Sequence, residues 1–172
     1  MLRRVTPLIC TGLLALLWMS LASQSPDREI FFDRYGPEQG LHSRQIRDIV
    51  QSSDGFIWMA TNEGLVRYDG KEFVLFFDKE VPAHLSTNRY VEAMTIDDRD
   101  QIWMANNEQV SVYSVAAGTW NYLIDSTGSS AIFAMDFRYD PKKHRMWISG
   151  GRGLCFVDEN FKVHPFSFRE PN

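Results

Sequence analysis

Four histidines, His42, His84, His144 and His164, and a run of carboxylates at Asp97, Asp98 and Asp100 are the side chains with which this chain would do chemistry. Imidazoles gathered on one face bind zinc, and an acid paired with a second acid or a histidine moves protons in hydrolysis. The spacing argues for neither use. The histidines fall at unequal intervals in or near turns and outer strands, which reads as surface loops. The aspartates crowd one hairpin turn, where Asp is favoured because its carboxylate bonds nearby backbone amides. Cys155 sits in the apolar run "GLCFV" and reads as a small buried hydrophobe rather than a nucleophile. The glycines of "GGRG" at 150–153 are too few for a dinucleotide fingerprint, and they open a strand rather than a helix. HExxH, GxSxG, CxxC and P-loop patterns are all missing from the sequence. Accordingly no catalytic residue, cofactor-binding residue or metal ligand is assigned, and no individual ligand-binding residue is named.

Positioning elements must therefore be sought in the rest of the chain. Its 172 residues suffice for one domain with a core. Arg3 and Arg4 precede the uncharged run "VTPLICTGLLALLWMSLA", and Ser20 and Ala22 are the small residues of a cut after Ala22. That is the layout of a secretory signal peptide. Cys10 lies inside this run, without a lipoprotein-type junction. Removing Arg3 and Arg4 from 18 basic residues leaves 16 against 22 acidic ones, a net charge of −6. The charges are scattered and form no basic block, so nucleic acid is not an expected partner. One cysteine remains after cleavage, so no internal disulfide is expected.

The strongest signal is a repeat. Trp58, Trp103 and Trp147 stand 45 and 44 residues apart, and six residues after each comes Gly64, Gln109 or Gly153. Leu65, Val110 and Leu154 follow, then Tyr68, Tyr113 and Val157 three residues beyond. Upstream, Ile49 and Met94 precede their tryptophans by nine residues. Met135 precedes Trp147 by twelve, which reads as three residues added in the turn "YDPKKHR". Each period holds four short runs rich in β-branched and aromatic residues. In the first they are "IRDIVQ", "FIWMAT", "LVRYD" and "FVLFF", with Asp54-Gly55 and Asp69-Gly70 as hairpin turns. The second reads "YVEAMTI", "QIWMAN", "VSVYS" and "WNYLI"; the third reads "IFAMDF", "RMWIS", "GLCFV" and "KVHPFSF". Four antiparallel strands per repeat of about 45 residues predict a β-propeller blade. The fold class is all-β: about three four-stranded antiparallel blades, an incomplete propeller, preceded by a signal peptide. The tryptophans are read as packing between stacked blades.

The expected organisation is a signal peptide over 1–22, an N-terminal strand and lead-in loop over 23–45, and blades over 46–84, 85–128 and 129–172. Residues 30–35 are read as a closing strand whose partners belong to a final blade. Loops leading into the innermost strands, "GPEQGLHSRQ", "KEVPAHLSTNRY" and "DSTGSSA", carry Ser, Thr, Asn, Arg and Tyr. They suit a small polar ligand such as an oligosaccharide.

The stretch "GLHSRQIRDIVQSSDGFIWMATNEGLVRYDGKEF" resembles the two-component regulator propeller repeat. The matches are Gly40, Leu41, Gly55, Ile57, Trp58, Thr61, Gly64, Leu65, Arg67, Tyr68, Asp69, Gly70 and Phe73. The second repeat keeps Leu85, Ser86, Asn88, Ile102, Trp103 and Tyr113, with Asp100 in place of the turn glycine; the third keeps Trp147, Gly153 and Leu154. The resemblance implies a periplasmic sensor region of a bacterial membrane signalling protein whose output is a histidine kinase, often hybrid, or a diguanylate cyclase. It implies ligand recognition, in some members of oligosaccharides, and no catalysis in this segment. A periplasmic propeller enzyme acting on polysaccharide is the alternative. Three blades leave an arc of a ring open. The chain is accordingly read first as the N-terminal part of a larger sensor whose further blades complete it. Ring completion by a second copy and an incomplete relic are the other readings, and an unstable isolated monomer is expected.

Expression in a bacterial host should yield periplasmic protein that begins at Ser23. Intact mass of the recovered chain checks this, and the full-length mass in the membrane fraction would mean an uncleaved anchor.

Overall fold

A computed structural model describes residues 30–76, 89–106, 108–124, 132–151 and 153–166. The leader, His84 and most of the second and third lead-in loops lie outside the described residues. Three four-stranded antiparallel sheets follow one another along the chain, each in the order of its strands. Strands β1 (Ile46–Gln51), β2 (Ile57–Thr61), β3 (Gly64–Tyr68) and β4 (Phe73–Phe76) make the first. The second contains β5 (Ala93–Ile96), β6 (Gln101–Ala105), β7 (Val110–Ser114) and β8 (Thr119–Tyr122). The third contains β9 (Ala134–Asp140), β10 (Arg145–Gly150), β11 (Gly153–Val157) and β12 (Val163–Pro165). First strands of neighbouring sheets, β1, β5 and β9, lie side by side, as the innermost strands of propeller blades do. No helix among the described residues is long and apolar enough to cross a membrane.

Turn chemistry sets the hairpins. Three residues before each tryptophan the backbone is left-handed, at Gly55 (φ 90°), Asp100 (φ 54°) and His144 (φ 46°). Asp and His are among the residues that tolerate this region best, which explains how the second and third blades dispense with glycine. Gly64 (φ 134°) opens β3 in the same region, and a Cβ there would sit 3.3 Å from Leu75 Cδ1. Gln109 replaces it in the second blade because Asn106 Oδ1 accepts the amides of Glu108 and Gln109 at 2.9 and 2.8 Å. Gly150 answers to a different constraint. A Cβ there would stand 1.7 Å from the Phe133 carbonyl oxygen, so the backbones of β10 and the lead-in to β9 touch.

Packing has a direction. Trp58, fully buried, points from the first blade into the second and meets Tyr113 at 5.6 Å between ring centroids. Around them gather Ala60, Leu65, Met94, Ile102 and Met104. Trp103 points from the second blade into the third and stacks on Phe161 at 5.6 Å, beside Phe137, Met146, Ile148 and Val157. The tryptophans recur as interblade packing, but Trp147 departs from the other two. It points the same way, onto the outer face of the third blade, and is half-buried. Its contacts come from its own sheet: Phe156 at 5.4 Å, Phe166 at 5.2 Å and the Arg145 guanidinium at 4.4 Å over the ring.

Residues 30–35, expected to close a final blade, pair with no sheet among the described residues, and Ile30, Phe31 and Phe32 are exposed. The apolar "IFF" run has β propensity, but a strand also needs a sheet edge to pair with. Tyr35 packs against Tyr68 and Phe73, at 5.6 and 5.7 Å, and a 3₁₀ turn at Pro37–Gln39 follows. One expectation is corrected, in the third blade. Ile49 pairs with Met59 and Met94 with Met104, whereas Phe137, not Met135, takes this place opposite Ile148. Strand β9 runs on to Asp140, so the pairing absorbs most of the extra length and one residue is added rather than three.

Trp58→Ala should cost about 3–5 kcal/mol of stability, the usual range for a buried aromatic, and Trp147→Ala less than half as much. Urea midpoints of the two variants check the ranking.

Candidate functional site

Each strand has a turn at one end and a lead-in loop at the other, so the chain presents two kinds of rim. The lead-in rim between the first two blades is built from β1, the β2–β3 turn and the approach to β5. Val91 donates its amide to the Thr61 carbonyl at 3.0 Å, which fixes that approach to the first blade. Asn62 Nδ2 donates to Gln45 Oε1 at 2.5 Å. Tyr90 donates its hydroxyl to Glu92 Oε2 at 2.5 Å, and that carboxylate holds the phenol above its ordinary pKa. Arg47 lies over the Tyr90 ring at 5.1 Å, with Nη1 3.5 Å from Glu92 Oε1. Gln45 with Asn62, and Arg47 with Tyr90 and Glu92, thus form two polar, partly exposed sets at this rim, each held by its own contacts. Along the inner strands, Asp48 and Asp136 stand at one repeat position. Each accepts the next residue's amide, from Ile49 at 2.9 Å and Phe137 at 2.8 Å. A charged residue on an edge strand discourages pairing by another chain. Beneath Gly40, against the first blade, lies a cavity of about 20 Å³ lined by His42, Ser43, Thr61, Glu63 and Phe73, room for a single water.

The turn rim holds what sequence reasoning missed. Asp97 does act as a turn residue: it accepts the amides of Arg99 and Gln101, each at 2.9 Å, and the Trp103 indole at 3.0 Å. In the first blade Ser52 takes that last role for Trp58, at 2.9 Å. Asp98 and Asp100 do something else. Asp100 reaches back to the first blade, accepting the Ser53 amide at 3.0 Å and the Ser53 hydroxyl. Asp98 reaches forward to the third, accepting the Tyr139 hydroxyl and lying 3.1 Å from His144 Nδ1. The rule is periodic: the residue three before one tryptophan clasps the residue five before the preceding one, Asp100 with Ser53 and His144 with Asp98. Equal spacing in the sequence was the available signal, since each clasp closes only when blades stack.

The Tyr139 hydroxyl, ahead of His144, lowers the Asp98 pKa. Burial and then Asp98 raise Tyr139. His164 Nε2 lies 2.8 Å from Asp158 Oδ2, and this contact followed by the Lys162 amide lowers Asp158. Amides of Glu72 and Lys71 lower Asp69. His42 is exposed and lines the small cavity. Cys155 is half-buried rather than fully buried, and burial raises its thiol pKa, which keeps it protonated. Among the described residues no three His, Cys, Asp or Glu side chains gather as metal ligands.

With this geometry in hand, likeness to known proteins can be weighed. Residues 40–63, the lead-in loop and first hairpin, match the family described as two component regulator propeller. No curated protein matches the chain in sequence. Among solved structures, the extracellular domain of a protein described as a hybrid two component system from B. thetaiotaomicron superimposes with a TM-score of 0.67 and 21% identity, covering 78% of this chain and 20% of that one. Another such domain from B. thetaiotaomicron, described as of a one component system, gives 0.55 and 21%, covering 74% and 16%. A streptogramin B lyase gives 0.55 and 11%, covering 72% and 41%. The chain spans a fifth or less of the two extracellular domains it matches.

Sign of the acid response follows from three carboxylates whose folded pKa is depressed. Asp69, Asp98 and Asp158 contribute stability that is complete above the unfolded value near 3.8 and disappears as pH falls through the lower folded values. Melting temperature should fall on acidification below about pH 4, and the triple Asn variant should show a flatter acid limb in a pH series of melting curves. Sequence repeat, blade topology and structural likeness agree, and this chain is a β-propeller segment whose residues 40–63 match the two component regulator propeller family.

Proposed function

We propose that the chain is the N-terminal propeller segment of a periplasmic input region in a bacterial membrane signalling protein, of sensor-kinase or diguanylate-cyclase type. In this reading the segment binds a ligand and does no chemistry on it. The observation that carries the proposal is the two component regulator propeller repeat at residues 40–63. Likeness of fold to extracellular domains of signalling systems supports export. The lead-in rim supplies the binding chemistry: Gln45, Asn62, Arg47 and Glu92 offer planar donors and acceptors beside the Tyr90 ring, which suits a polar ligand such as an oligosaccharide. Because these groups already hold one another, a ligand finds them ordered, which lowers the entropic cost of binding.

The enzyme reading needs a carboxyl kept protonated near neutral pH as general acid, across the channel mouth from a second acid. The cross-blade acid–histidine pair of the turn rim, Asp98 with His144, has its carboxyl pKa lowered rather than raised. It also lies at the opposite end of the strands from the lead-in loops.

Isothermal titration of the chain, cleared of its leader, with a panel of neutral and acidic oligosaccharides should reveal a ligand, and chromatography should recover it unaltered. Shortened or unsaturated products would overturn the non-catalytic reading, and absence of binding across the panel would overturn the oligosaccharide class.

A further inference from the structure

Each innermost strand carries an irregularity at one place in the repeat. In the first blade Ile46 lies opposite Thr61 and Asp48 opposite Ala60, which leaves Arg47 over as a β-bulge. In the third, Ala134 lies opposite Gly150 and Asp136 opposite Ser149, which leaves Met135 over. Glu92 holds this place in the second blade, where its amide bonds the Ala105 carbonyl at 2.7 Å although Ala93 is the residue opposite Ala105. Arg47 and Glu92 precede their tryptophans by eleven residues, and Met135 by twelve because of the one residue added there. The preceding Val91 and Ala134 are buried, whereas Arg47 and Met135 are exposed. Bulges re-aim side chains next to functional sites. Gly150 keeps room for the third one, since a Cβ there would stand 1.7 Å from the Phe133 carbonyl oxygen. Two residues before Arg47, Glu92 and Met135 stand Gln45, Tyr90 and Phe133. The lead-in rim thus passes from polar and charged groups on the first two blades to apolar ones on the third, where Met135 is 64% and Phe133 40% exposed.

We propose that Arg47, Glu92 and Met135 read the ligand, and that the ligand is a sugar carrying a methyl group, as 6-deoxyhexoses and N-acetylhexosamines do. This rests on the oligosaccharide reading and narrows it. Glu92 Oε2 accepts the Tyr90 hydroxyl, and Oε1 lies 3.5 Å from Arg47 Nη1. That gap is longer than a charge-assisted hydrogen bond, so a sugar hydroxyl placed there accepts from Arg47 and donates to Glu92. A sugar carboxylate in the same place would face the Glu92 carboxylate, which disfavours an acidic residue. Around the rim, an unsubstituted hexose would bring hydroxyls against Met135 and Phe133, where they lose water without gaining a partner. A methyl group loses no hydrogen bond there, and its burial is favourable.

Isothermal titration of the leaderless chain can compare trisaccharides ending in L-fucose or N-acetylglucosamine with counterparts ending in L-galactose or glucose. One methyl-bearing sugar should bind at least about tenfold more tightly than its counterpart, the discrimination usual for one apolar group. Which pair shows the preference tells whether the methyl group is 6-deoxy or N-acetyl. Met135→Asn should abolish the preference. Arg47→Gln should weaken both members of the pair by about tenfold, the loss of one charged hydrogen bond. Circular dichroism of both variants should retain the strand signal, since both side chains are exposed. Equal binding of the methylated and unmethylated sugars would overturn this proposal and leave the oligosaccharide reading standing. A preference that survives Met135→Asn would overturn the role given to the third blade. Binding of an apolar dipeptide but of none of the sugars would overturn the sugar class itself, and with it both readings.

Discussion

A four-stranded sheet with apolar side chains on both faces cannot stand alone in water, and this constraint governs everything else in the chain. The second blade answers it by giving one face to the first and the other to the third. The tryptophan on the second strand always points forward and the residue ten later always points back. Trp58 against Tyr113 and Trp103 among Phe137, Ile148 and Val157 are two settings of the same joint. Burial of a large side chain contributes roughly 1.5–3 kcal/mol, so a few such residues per joint match the 5–15 kcal/mol by which ordinary domains are stable. Stability is then held in the joints more than in the blades, as in other stacked-repeat proteins.

Polar contacts at the turn rim select how the blades stack without supplying much energy. Asp100 on Ser53 and Asp98 on Tyr139 and His144 are exposed, and exposed charged pairs contribute little. Their value lies in geometry. A blade shifted along its neighbour would separate the residue three before one tryptophan from the residue five before the last, leaving the apolar contact largely intact. Left-handed backbone at Asp100 and His144 aims these side chains backward. A substitution that looks like loss of a turn glycine therefore also places a side chain where Gly55 has none.

Much of this was legible before any coordinates. Short runs rich in β-branched and aromatic residues located all twelve strands to within a few residues, because local pairing and turn chemistry act within a hairpin. The tryptophan spacing disclosed the joints. What escaped depends on contacts between blades or on the backbone's freedom to extend. Asp98 and His144 are 46 residues apart and meet only after two blades have stacked. Aligning Met135 with Ile49 failed because β9 could lengthen toward Asp140, a choice made by pairing with β10. Tyr35 belonged by its neighbours to a β-like run, yet its ring finds the aromatic pair Tyr68 and Phe73 while Phe31 and Phe32 stay in solvent. The lead-in rim was expected from the fold, but its members came from the strand Arg47 and the turn Asn62 as well as from the loops.

The two rims differ in a way that bears on function. At the turn rim the interblade side chains are engaged with one another across the joints, and the Asp98 carboxylate is held in the charged form. At the lead-in rim, Arg47, Glu92 and Tyr90 meet near the innermost strands, and Nη1 of Arg47 stands 3.5 Å from its carboxylate, longer than a charge-assisted hydrogen bond of about 2.7–2.9 Å. Such a pair can take a ligand hydroxyl between its members at little cost, since neither loses a strong bond. Preorganised yet incompletely satisfied groups make a better binding surface than a sealed clasp. Both strand ends carry contacts between blades: Asp100 with Ser53 and Asp98 with His144 at the turn rim, Val91 with Thr61 and Arg47 with Glu92 at the lead-in rim.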